Sequence, residues 1–333
     1  MGIFLLTLGQ VAVLLAFIFI GYFFRKKEII NEGGKKVLAK LLTCLFAPCY
    51  SVISLSAIVN VNDIKKYGVL LITGIGLALF AVLIAIPIAK SFSKDKQHQN
   101  ILKYAFAFGN IGYFGYPLVN AVFGAETRAL MMLFCLPMSV AIYTYGYYVL
   151  TTNPFDTENT SSRPLKQKLS FLWSPPMIGV YAGVILGLLS SGCSFTLPSV
   201  VMDALTVAGN CQSAPAMLLT GAVLASVPFK KLFTSISSYL IGGIRLLALP
   251  VITGLIFFII NLFGVSGELF VLVFRLSIIV SAMPVGMNVV VYPEYAGQDS
   301  TEGAKCCFIS YVMALGALPL VFFLMETIAP LFI

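Results

Sequence analysis

The chain has 333 residues, 59% of them hydrophobic and only 10% charged, and a mean hydropathy of +0.98, so it has too little polar surface to wrap a water-soluble globule. A net charge of +8 would suit nucleic acid in a soluble protein, but here the basic residues sit in short loops between apolar stretches, which makes the lipid bilayer the expected partner and excludes nucleic acid. Seven cysteines without framework or ligand spacing, and a single histidine, His98, in the charged stretch SKDKQHQN, exclude a disulfide scaffold and leave no metal or other cofactor to expect.

A spanning helix needs about 20 mostly apolar residues. Stretches of that kind run in chain order over Phe4 to Phe24, Val37 to Ile58, Tyr67 to Ala89, Ile101 to Phe123 and Ala129 to Leu150. Five more follow at Pro176 to Ser190, Val200 to Val227, Ile236 to Leu262, Leu269 to Val291 and Ala304 to Ile328. The first is followed by Arg25, Lys26 and Lys27 instead of a small-residue cleavage site, so it reads as a retained span and not as a signal peptide. The expected fold class is therefore an all-α membrane protein of ten transmembrane helices.

The polar stretch Thr151 to Ser170 lies almost at the midpoint. It divides a first five-helix unit, 1–150, from a second, 173–333, with a cytoplasmic linker over 151–172. An offset of 167 residues places Pro48 on Pro215 and Pro117 on Pro284, which suggests an internal repeat. Units with an odd number of spans must insert in opposite directions, the inverted-repeat plan of many secondary transporters. The loops assigned to the cytoplasm hold 15 of the 21 basic residues, while the opposite side holds Lys65, Lys66 and Arg128. Lys40, Arg245 and Arg275 fall within spans. Both termini are accordingly expected outside the cytoplasm.

Two spans carry residues that break helices at corresponding depths: GNIGYFGYP (Gly109 to Pro117) in the fourth and SAMPVGMN (Ser281 to Asn288) in the ninth. Proline removes a backbone donor and glycine frees the chain to leave the helix. Such a break survives in hydrocarbon only where protein or a water-filled cavity satisfies it. A plain proline kink is the alternative for either segment alone; the matched pair favours two broken helices still more, with Pro117 and Pro284 close together near the midplane. The polar residues nearby are Asn110, Tyr113, Tyr116 and Asn120, with Ser281 and Asn288 in the ninth span. Ser51, Asn210, Gln212 and Ser213 add donors beside Pro48 and Pro215. Amides and half-helix N-termini can hold a carboxylate, although any one of these residues could instead be glue between helices, worth roughly 0.6 kcal/mol.

Arg245 and Arg275 are intramembrane arginines, functional by default unless they snorkel or pair with a helix C-terminus. No acid sits at mid-span: Asp203 and Glu326 lie near span ends, and Glu294 and Asp299 follow the ninth helix. A neutral, donor-rich site for a small organic anion is thus favoured over a carboxylate-centred cation exchanger. An enzyme would need a base, nucleophile or metal cluster at membrane depth, and none is evident. A channel or receptor remains the alternative to a secondary transporter.

At these residues the chain resembles the auxin efflux carrier family, which includes plant auxin carriers and bacterial permeases for malate and malonate. The resemblance extends over nearly the whole chain and rests on LFAP (Leu45 to Pro48), NIGYFGYPL (Asn110 to Leu118) followed by FGAET, IRLLALP (Ile244 to Pro250), and RLSIIVSAMPVGMN (Arg275 to Asn288) followed by YPEYAGQDS. It implies two inverted five-helix repeats with broken, crossing fourth and ninth helices. It further implies a scaffold domain of helices 1, 2, 6 and 7, and a transport domain of helices 3–5 and 8–10. Substrate carboxylates are expected beside the crossover at Asn110 and Ser51, with Arg245 and Arg275 matching arginines of the family pattern. Asn288 is similar to bacterial members, which points to a bacterial inner membrane, and a homodimer is implied by the same resemblance.

Overall fold

The computed structural model describes residues 2–59, 61–152, 170–193 and 195–332. Most of the expected linker, 153–169 with Arg163, Lys166 and Lys168, lies outside the described residues, as do the side chains of Lys65 and Lys66. Among the described residues the regular elements are all helical, apart from one isolated antiparallel bridge between Gly109 and Val285.

The first half contains α1 (Gly2–Lys26), then α2 (Glu32–Leu41), which runs through a π-helical turn at Leu42–Phe46 into α3 (Ala47–Ile58). It continues with α4 (Val61–Phe92), α5 (Lys96–Ala107), a π-helical turn at Ile111–Gly115, α6 (Tyr116–Phe134), α7 (Leu136–Ala141) and α8 (Tyr147–Thr151). The second half contains α9 (Pro175–Cys193), α10 (Ser199–Asn210), α11 (Ser213–Leu224), α12 (Ile236–Gly243), α13 (Leu249–Leu262), α14 (Glu268–Ser281), α15 (Asn288–Ala296) and α16 (Thr301–Ile328).

Among the described residues, six helical stretches are long and apolar enough to cross a membrane: Phe4–Lys26, Glu32–Ile58, Gly68–Phe92, Pro175–Cys193, Ile236–Leu262 and Thr301–Phe332. They coincide with the first, second, third, sixth, eighth and tenth segments expected from hydropathy. Ile111–Phe134 and Leu136–Thr151, bent by 53°, make a seventh if taken together. The other segments are split, the fourth at Phe108–Asn110, the seventh at Cys211–Gln212 and the ninth at Ala282–Met287. Hydropathy counts apolar length and is blind to backbone continuity, so these read as unbroken runs in sequence while the chain leaves the helix within them. Inside α6, Gly124 has φ 87° and ψ 174°, a corner between the expected fourth and fifth spans that a residue without a Cβ takes without strain.

Without a hydrophobic drive between helices in lipid, close association depends on small residues that let backbones touch. Gly21 on α1 and Gly221 on α11 face one another's helices so closely that an added methyl would overlap the carbonyls of Leu218 and Ile18. Along α9, Cβ atoms on Gly179, Gly183 and Gly187 would fall 2.5–2.7 Å from backbone atoms of Pro48, Ser51 and Val59 on and just beyond α3. The first, second, sixth and seventh segments are thus packed backbone to backbone.

Candidate functional site

The breaks in the fourth and ninth segments meet in the antiparallel bridge between Gly109 and Val285. The Asn110 N–H donates to the Pro284 carbonyl at 2.7 Å, and the Gly286 N–H donates to the Phe108 carbonyl at 3.0 Å. Backbone groups freed by the breaks are costly in hydrocarbon unless paired, and side chains of α16 and of the turn before α13 pair several more. The Val285 N–H donates to the Ser310 hydroxyl at 3.1 Å, and the Tyr311 hydroxyl donates to the Val285 carbonyl at 2.8 Å. Arg245, in the π-helical turn Ile244–Ala248 that leads into α13, donates from Nε to the Met283 carbonyl at 3.0 Å and from a terminal nitrogen to the Phe106 carbonyl at 2.5 Å.

Beyond this bridge the chain restarts as helix twice, at Asn110 and at Asn288. The Asn110 side chain caps the π-helical turn, its Oδ1 accepting the Tyr113 N–H at 3.1 Å, while its amide donates to the Tyr311 hydroxyl at 2.7 Å. The Tyr113 hydroxyl donates to the Asn288 Oδ1 at 2.8 Å, and the Asn288 amide donates to the Tyr292 hydroxyl at 3.3 Å. Each amide has two N–H groups, so Asn110 keeps one beyond these bonds, while the second N–H of Asn288 is directed to Tyr104. Both side chains are buried, and both line a cavity with an empty volume of about 650 Å³ including its mouth.

The walls of this cavity are phenols, hydroxyls and amides together with Leu55, Ile111, Met132, Ile142, Val180 and Met287, and among the described residues no charged side chain lines it. Of the residues singled out in sequence, Asn110, Tyr113, Asn288 and Ser51 line it, as do Tyr116 and Gln212. Pro284 supplies the carbonyl that accepts the Asn110 N–H, and Ser213 donates to the Tyr113 carbonyl at 3.0 Å, holding the turn from behind. Pro117 lies elsewhere: it occupies the first turn of α6, is exposed, and follows the break at Phe108–Asn110 by seven residues. The expectation of an interruption at Pro117 is therefore corrected: the helix already runs through the π-helical turn Ile111–Gly115 and continues past Pro117, and the Tyr113 carbonyl that an N–H at position 117 would reach in an α-helix accepts the Ser213 hydroxyl instead. Asn120 is exposed and outside the cavity, and the Ser281 hydroxyl is spent on the Ile278 carbonyl at 3.0 Å.

The two arginines separate. Arg275 forms a half-buried ion pair with Glu326 at 2.8 Å, joining α14 to α16 away from the cavity. Arg245 is buried, with 2% of its surface exposed, and faces a second, smaller hollow of about 390 Å³ on the other side of the bridge. Glu294 on α15, beyond the expected ninth span, meets Lys35 of α2 at 3.8 Å, and burial pushes the Glu294 carboxyl above the usual carboxylate range.

Sequence reading missed Tyr50, Tyr104, Tyr143, Ser54 and Ser139. A signal for the tyrosines exists, since tyrosine in membrane proteins belongs at the interfaces, and one placed near mid-span needs a partner or a cavity for its hydroxyl. Tyr50 also stacks on Tyr116 with ring centroids 6.3 Å apart and planes inclined at 23°. A larger hollow of about 940 Å³ beside Pro250, Phe258, Phe274 and Phe332 is walled almost wholly by apolar side chains and offers no fixed donors to a polar ligand.

Comparisons with known proteins cover nearly the whole chain. The family model described as "Membrane transport protein" matches residues 6–322. A protein of Methanothermobacter thermautotrophicus named "Uncharacterized transporter" is 23% identical over 322 residues, covering 96% of this chain and 98% of that protein.

Proposed function

The chain belongs to the membrane transport protein family of the auxin efflux carrier type, and from that premise we propose that it is a secondary transporter moving a small organic anion by alternating access. The observation that carries this reading is the cavity at the crossing, walled by uncharged donors and flanked by two helix N-termini. An anion leaving water must exchange its hydration for other donors, and N–H groups at positive dipole ends supply them. The substrate is a carboxylate, auxin-like or a dicarboxylate such as malate or malonate.

In this reading ten helices form two inverted repeats, and the transport domain of helices 3–5 and 8–10 moves against the scaffold of helices 1, 2, 6 and 7. The glycine-lined contacts of α1 with α11 and of α3 with α9 support a rigid scaffold. The cavity takes Tyr50, Ser51, Val180 and Gln212 from that side and the crossing residues from the other, so a relative movement would expose it to one face at a time. Lys35 and Glu294 lie on opposite sides of the same seam. The protein works as a homodimer in a bacterial inner membrane.

Calorimetry in detergent across a panel of mono- and dicarboxylates, with organic cations of similar size, tests the substrate class. Saturable binding of at least one carboxylate and of none of the cations is expected; preference for cations would refute the reading. Orientation is tested separately. Cysteines replacing Lys94 and Arg128 should react with impermeant thiol reagents from opposite faces of the membrane, and labelling of both from one face would overturn the proposed topology.

A further inference from the structure

Four half-helix ends meet at the crossing. The C-terminal ends of α5 and α14 each carry about half a negative charge, and the N-terminal ends leading into α6 and α15 each carry about half a positive one. These contributions cancel, so the broken helices alone give the crossing no net sign. Arg245 does not cancel. Its partners are the Met283 and Phe106 carbonyls at the two C-terminal ends, and the ion pairs found among the described residues do not include it.

Its placement is equally specific. Gly109 and Ile111 line both the hollow that holds Arg245 and the cavity that holds Asn110 and Asn288, so this stretch of backbone lies between the guanidinium and the cavity. Gly109 permits the approach, because a Cβ there would overlap a terminal nitrogen of Arg245.

We infer that Arg245 determines the charge selectivity of the cavity, acting across the Gly109–Ile111 backbone as a fixed cation that never touches the substrate. This rests on the transport reading for its purpose, though the field itself can be measured without a substrate. The guanidinium neutralises the two C-terminal ends and leaves the two N-terminal ends uncompensated toward the cavity. At an effective dielectric constant of about 20, one charge roughly 12 Å away is worth about tenfold in local anion concentration.

The test places a cysteine at Ser54, on the cavity wall, in a chain whose more accessible cysteines, Cys44, Cys49, Cys193 and Cys211, are replaced by alanine. Reaction rates with anionic sulfonatoethyl and cationic trimethylammonioethyl methanethiosulfonate are compared with those of a free thiol in solution. In the otherwise intact protein the anionic reagent should be favoured about tenfold or more over that reference. Arg245→Met and Arg245→Gln should lower the ratio by about tenfold, equivalent to about 1.4 kcal/mol, while Arg245→Lys keeps it within about threefold and Arg275→Met leaves it unchanged. A purely structural role would slow both reagents or neither. No anionic preference in the intact protein overturns the inference even if the neutral variants do not fold, and so does an unchanged ratio in a folded Arg245→Met. Failure of every carboxylate to bind would sink the transport reading alone, whereas an unchanged ratio in a protein that does bind one sinks this inference alone.

Discussion

Replacing Asn110 by alanine should weaken binding of whichever carboxylate the wild type holds most tightly by roughly tenfold to a hundredfold. Its remaining N–H is one of the charge-assisted donors expected at the crossing, and loss of such a bond costs roughly 1.5–3 kcal/mol. The same change removes the Oδ1 cap on Tyr113 and the bond to Tyr311, so part of the loss comes from a loosened turn, about 1 kcal/mol for a cap. Asn120→Ala provides the control, since that side chain is exposed and outside the cavity. Calorimetry on the two variants side by side should show binding strongly reduced in the first and unchanged in the second. Equal affinities in wild type and Asn110→Ala would mean that this asparagine is helix glue.

Gly109→Ala should damage the protein further, acting on the fold as well as on the site. The added methyl would overlap a terminal nitrogen of Arg245 and lie 2.7 Å from the Met283 Cβ. Either the two helices separate, losing the bonds between Asn110 and Pro284 and between Phe108 and Gly286, or the guanidinium is driven off its carbonyls and left buried without them. Breaking a buried charge away from its partners typically costs about 3–5 kcal/mol. A large fall in melting temperature in detergent is expected, together with loss of carboxylate binding. Gly316→Ala on α16, where nothing lies within 4 Å of the new methyl, should melt like the wild type. A Gly109→Ala protein with unaltered melting would show that Arg245 and the crossing are less tightly built than the geometry indicates.

Much of this architecture is legible in the sequence. Apolar length locates the helices, and the glycines and prolines of GNIGYFGYP and SAMPVGMN locate two of the breaks, because both residue types act on the backbone itself. The residue at the crossing is less legible. Pro117 attracts attention as a proline within a span, yet its backbone is helical, and the chain departs from the helix at Phe108–Asn110, where Gly109 is the only local signal. The split at Cys211–Gln212 carries no glycine or proline at the break itself; its signal is Pro215, which has no N–H to offer the Cys211 carbonyl, inside an unbroken apolar run.

The site divides the same way. Asn110, Asn288, Tyr113 and Ser51 were reachable as polar side chains beside breaks, while Tyr104 and Tyr143 sit on other helices and reach the cavity only through packing. The two arginines looked alike in sequence. Arg275 finds a carboxylate 51 residues away and Arg245 finds only carbonyls, and backbone partners leave no mark on residue identity.

Uptake into proteoliposomes tests the central claim most directly. Protein reconstituted at known orientation should accumulate radiolabelled malonate, malate or indole acetate with saturable kinetics, faster than protein-free vesicles, and Asn110→Ala should abolish most of that flux at low substrate concentration. Absence of uptake of every organic anion under each imposed ion gradient, or a flux that rises linearly without saturation as through an open pore, would contradict a carrier working by alternating access.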